Sequence, residues 1–118
     1  MDKLIVIVLL VAAVIYFKYG DDDIVPVRPL YAESYIVVYG REACGNTRRM
    51  WESLGDAGAE YYTGDIDDPD TDRDIMARMR EAGYDTTKNI KLPIVDVNGW
   101  IMTNPDPQEV IGKYVEIK

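Results

Sequence analysis

The chain has 118 residues, a net charge of −8, a single cysteine and no histidine. Without imidazole, serine-type triads and histidine-built metal centres are excluded; the acidic balance argues against nucleic acid as a partner, and one cysteine cannot close an intramolecular disulfide. The acidic residues are dispersed except for Asp21-Asp22-Asp23 and the stretch Asp65 to Asp74, a pattern expected of a solvated surface.

Leu4 to Phe17 is an unbroken apolar run of 14 residues between Lys3 and Lys18. As a helix it would extend about 21 Å, short of a hydrocarbon core of about 30 Å. Its exit, Tyr16-Phe17-Lys18-Tyr19-Gly20, lacks the small-x-small pattern of a signal-peptidase site. Residues 1–19 therefore read first as an uncleaved single-pass membrane anchor, with a cleaved signal segment and a buried helix as alternatives. Bilayer thinning, Tyr16 and Tyr19 at the interface and snorkelling lysines would accommodate the short span. By analogy with signal anchors, the following domain is expected outside the cytoplasm, although Lys3 on one side and Lys18 with Arg28 on the other give little charge bias. Residues 20–33 carry three aspartates, then Pro26 and Pro29. They read as a stiff, extended linker holding the domain off the membrane.

Residues 34–118 leave room for one domain with a modest core. Tyr35 to Tyr39 is β-branched and aromatic and ends at Gly40, which predicts a short buried strand. Asn46 to Ala57 predicts a helix with Met50, Trp51 and Leu54 at helical spacing and Gly55 and Gly58 near its stop. A second strand is expected at Glu60 to Thr63, and strand, helix, strand in this length implies a parallel crossover. Asp74 to Ala82 predicts a helix capped by Thr71 or Asp72, with Ile75, Met76 and Met79 as its stripe and Gly83 as its stop. Ile94 to Val97 and Trp100 to Thr103 flank Asn98-Gly99, a two-residue hairpin turn. Pro107 suits the first turn of a last helix with Val110, Ile111, Tyr114 and Val115 on one face.

Cys44 falls between the first strand and the first helix. There the unpaired N–H groups and the positive end of the helix dipole favour thiolate, and Arg41, three residues upstream, adds a cation. The alternative is a small buried hydrophobe, the commoner fate of a free cysteine; flanking Gly45 and polar neighbours argue instead for access.

This order, with a cysteine opening the first helix and Pro93 opening the third strand, resembles the thioredoxin fold and within it the glutaredoxin family. Val37 to Cys44 is similar to the family's strand and active-site loop, Asp65-Ile66-Asp67 to its acidic signature, Leu92-Pro93-Ile94-Val95 to its cis-proline segment, and Val97-Asn98-Gly99 to its hairpin. The resemblance covers about Ser34 to Lys118 and implies a three-layer α/β fold with a mixed four-stranded sheet, preceded here by the N-terminal hydrophobic helix. It also implies glutathione as co-substrate, with Arg41 meeting a carboxylate, Leu92 and Pro93 aligning the tripeptide backbone and Asp106 meeting its amine. Arg48 and Arg49 are local alternatives for pairing an anion.

Three departures fall in the chemistry. The motif is Cys44-Gly45-Asn46-Thr47, so Thr47 stands where dithiol members have the resolving cysteine; its hydroxyl can support the thiolate but cannot form a disulfide, and only a monothiol mechanism survives. Lys91-Leu92-Pro93 replaces the usual Thr-Val-Pro, and Thr103-Asn104-Pro105-Asp106 replaces the usual Gly-Gly with acidic residues. The function expected is a membrane-anchored monothiol thiol-disulfide oxidoreductase acting on glutathione mixed disulfides of proteins. The alternatives are a glutathione-dependent [2Fe-2S] carrier, with Cys44 of two chains as ligands, and a thioredoxin-fold binding module without turnover.

Overall fold

The computed structural model describes residues 24–117, so the apolar run read as an anchor lies outside the described residues. Its central strand is β1 (Ile36–Gly40), which pairs in parallel with β2 (Tyr62–Asp65) on one side and antiparallel with β3 (Ile94–Val97) on the other. Strand β4 (Trp100–Thr103) follows β3 through a hairpin, giving a mixed sheet in the order β2-β1-β3-β4. The turn is Asn98-Gly99, both at positive φ (53° and 96°), as a two-residue turn matched to strand twist requires.

Three helices cover the sheet: α1 (Gly45–Asp56), α2 (Pro69–Ala82) and α3 (Pro107–Ile117). The two-residue period of the strands sorts the core into two layers. Ile36, Val38, Val95 and Val97 face Met50 and Leu54 of α1 and Val110 of α3; Val37, Tyr39 and Ile94 face Ile75, Met79 and Ala82 of α2. Both faces of β1 are thus buried, which is why its sequence is continuously apolar rather than alternating. Among the described residues no helix is long and apolar enough to cross a membrane.

Two elements differ from expectation. Strand β2 is shifted two residues along the chain: its pairing with β1 starts at Val37↔Tyr62 and runs on through Tyr39↔Gly64 to Gly40↔Asp65, and the ring of Tyr39 occupies the space a side chain at 64 would need. Helix α2 begins at Pro69 with Asp68 as N-cap, not at Asp74. Proline costs nothing at that first position, where its missing N–H would be unpaired anyway.

The described part of the proline-bearing stretch forms neither helix nor strand and lies against the domain. The Val25 N–H donates to the Ala82 carbonyl and the Val27 N–H to the Gly99 carbonyl, both at 2.9 Å, and Val27 is buried. Below this strap lies Asp96, fully buried, which accepts from Arg78 Nη2 (2.6 Å), Tyr35 Oη (3.0 Å) and the Gly99 N–H (2.8 Å). Arg78 also donates to the Arg28 carbonyl. One carboxylate of β3 thereby links Tyr35, just ahead of β1, the Gly99 turn and α2, with Arg78 carrying the linkage on to the strap.

Candidate functional site

At the carboxyl end of β1 the chain turns through Arg41 to Ala43, closed by the Cys44 N–H donating to the Arg41 carbonyl at 3.0 Å. Cys44 is the N-cap of α1, extended at φ −85°, ψ 120°, and its carbonyl accepts the first helical hydrogen bond, from Arg48. The thiol is half-buried. As a neutral thiol it makes no capping hydrogen bond of strict geometry. The charged form is the one the surroundings attract: the Thr47 hydroxyl, then the Thr47 and Asn46 N–H groups, then Arg41, pull the pKa below its ordinary value, against a smaller opposing effect of burial.

Thr47 is fully buried. Its side chain fills the space over Gly40 so closely that a Cβ there would overlap it, and its Oγ1 accepts the Arg41 N–H at 3.4 Å. Gly40 is therefore fixed by Thr47, and Thr47 in turn is fixed beside the thiol.

Arg41 is turned aside. Its Nε donates to Asp67 at 2.7 Å, and both side chains are more than half exposed, so the pair adds little to stability. Turned toward Asp67, Arg41 favours the Cys44 thiolate less than Thr47 and Asn46 do. Arg41, Asp65 and Asp67 line a cleft of about 430 Å³ beside the loop. Trp51 also lines it, and its indole N–H has no hydrogen-bond partner among the described residues.

On the other side of Cys44, the register Tyr39↔Ile94 brings Pro93 to the same end of the sheet as Gly40. The Leu92–Pro93 peptide bond is cis. The backbone N–H and C=O of Leu92 bond to no described residue, while its side chain packs on the core under α2. The Pro93 carbonyl accepts the Asn104 N–H at 2.7 Å, which ties this segment to the loop carrying Asp106. Asn104 adopts φ 40°, the left-handed conformation that asparagine tolerates best among non-glycine residues. A backbone shape usually served by glycine is thus present here without one.

Asp106 Oδ1 accepts the Gln108 N–H at 2.9 Å and so caps α3. It lines a cleft of about 570 Å³ between α1 and α3, together with Asn46, Arg49, Asn104 and Gln108. Arg49 makes no ion pair with any described residue. Cys44 and Thr47 are thus held together, Pro93 and the Asp106 loop are joined to each other, Arg41 is engaged by Asp67, and Arg49 is the cation that shares a cleft with Asp106. Sequence spacing carried no sign of that last pairing, since residues 49 and 106 meet only through helix packing. Among the described residues no group of three or more potential metal ligands is assembled.

No family model matches the sequence, and no curated protein is significantly similar to it. What the site does has to follow from its own chemistry.

Proposed function

We infer that this chain is a membrane-anchored, monothiol glutaredoxin-like oxidoreductase that exchanges glutathione mixed disulfides through Cys44. The observation that carries the reading is the setting of Cys44: a half-buried thiol at a helix N-terminus, with a buried hydroxyl and two N–H groups all favouring thiolate. The sheet order, the helices on both faces and the position of Pro93 support a thioredoxin-like fold.

The Cys44 thiolate attacks the glutathione sulfur of a mixed disulfide. A Cys44–glutathione disulfide forms, the protein sulfur leaves as thiolate and takes a proton from water. A second glutathione thiolate then attacks the bound glutathione sulfur, forming oxidised glutathione and returning Cys44 as thiolate. Thr47 lowers the energy of Cys44 as nucleophile and again as leaving group. The unengaged backbone of Leu92 suits alignment of the tripeptide as a short strand, and Asp106 with Arg49 offers a carboxylate for its amine and a cation for a carboxylate. Arg41 would reach a carboxylate only by exchanging Asp67.

A glutathionylated peptide assayed with glutathione tests this. Wild-type protein turns it over and Cys44→Ser does not; turnover by Cys44→Ser at the wild-type rate refutes the reading. A folded wild-type protein with no turnover points to the binding module instead.

A further inference from the structure

All five large apolar side chains that are exposed among the described residues lie at one pole of the domain: Val25, Leu30, Tyr31, Tyr62 and Val115. Topology places them there. Val25 bonds to the last residue of α2, Tyr62 opens β2 level with Val37 near the start of β1, and Val115 is in the last turn of α3. The Leu30 N–H donates to Tyr35 Oη, and Tyr31 packs on Tyr35 and Tyr62 at ring distances of 5.2 and 5.4 Å. Cys44, by contrast, follows the far end of β1.

The tether ends at the same pole. Six residues, Lys18 to Asp23, separate the apolar run from Ile24, which packs against the core. Fully extended, that connection spans about 25 Å. A short tether holds the pole where it ends nearest the bilayer, and there the strap displays Val25, Leu30 and Tyr31 beside Tyr62 of β2 and Val115 of α3, apolar and aromatic side chains that suit a membrane interface. Glu33 and Glu60 flank the tyrosines, and the chain is acidic overall, so the fit is to neutral headgroups rather than to an anionic surface.

We propose that the domain docks on the lipid surface through the pole formed by Val25, Leu30, Tyr31, Tyr62 and Val115, so that Cys44 faces away from the membrane. This rests on the anchor reading of residues 1–19. It replaces a domain held clear of the bilayer with one seated on it in a fixed orientation, open to soluble protein disulfides.

The test uses the full chain in phosphatidylcholine vesicles, with a fluorophore either on native Cys44 or on Tyr62→Cys in a Cys44→Ser background, and a nitroxide quencher on the lipid headgroup. The label at 62 loses its fluorescence and the label at 44 keeps it; Leu30→Ser with Tyr31→Ser restores the signal at 62. Equal quenching at the two positions, or stronger quenching at 44, overturns the docking and leaves the apolar pole to a protein partner. Retention through an alkaline carbonate wash reports the anchor separately: loss in the wash overturns the anchor reading and the docking with it.

Discussion

Replacing Thr47 by valine keeps the shape that fills the space over Gly40 and removes only the hydroxyl, the largest influence favouring the Cys44 thiolate. The midpoint of Cys44 alkylation against pH therefore moves up in Thr47→Val, and the rate of alkylation at neutral pH falls with the thiolate fraction. The fold loses only the weak bond from the Arg41 N–H, about 1 kcal/mol. Arg41→Ala moves the same midpoint less, because its guanidinium is spent on Asp67. An upward shift in Arg41→Ala larger than in Thr47→Val contradicts this ordering. Cys44 and Thr47 were legible in the sequence because three residues of helix fix their proximity. The engagement of Arg41 was not, since Asp67 lies 26 residues away and reaches it only through parallel pairing of β1 and β2.

At the scale of elements, the strap and the β3–β4 hairpin depend on one another at Gly99. A Cβ at this position would overlap the Val27 carbonyl, and the φ of 96° is one that side chains disfavour. Gly99→Ala is predicted to cost about 1–3 kcal/mol and to expose the strap to limited proteolysis near Val27. Unchanged stability and proteolysis would mean that the strap is not held there. The hairpin itself could be read from Asn98-Gly99 because turn chemistry is local. The strap could not, because prolines report only extension, whereas its docking depends on carbonyls of Ala82 and Gly99 that the fold brings in from afar. The start of α2 is hidden in the sequence for a related reason: Asp67, Asp68 and Pro69 look like turn, yet Asp68 and Pro69 are also a good cap and first residue.

Across the whole molecule, Asp96 and Arg78 join three elements to the strap, and nothing in the local pattern of Ile94 to Val97 marks a fully buried carboxylate. Arg78→Met leaves that charge without its cation and is predicted to lower stability by about 3–5 kcal/mol. Adding Asp96→Asn recovers a good part of the loss in urea unfolding, because the amide needs no counter-charge. Independent, additive losses would show that the two side chains are not coupled. The network lies toward the strap, at the end of the sheet away from Cys44, so the double variant retains the thiol's reactivity. Structural support and chemistry thus occupy opposite poles.

The chemistry of the whole site depends on the fold making Cys44 a better thiolate than a free cysteine. Alkylation of the wild-type protein by iodoacetamide across pH, with Cys44 the only target in the chain, measures this directly. A midpoint below that of the same cysteine in the urea-unfolded chain is expected, because the Thr47 hydroxyl and the N–H groups favour the thiolate only in the fold; a midpoint at or above the unfolded one would contradict it.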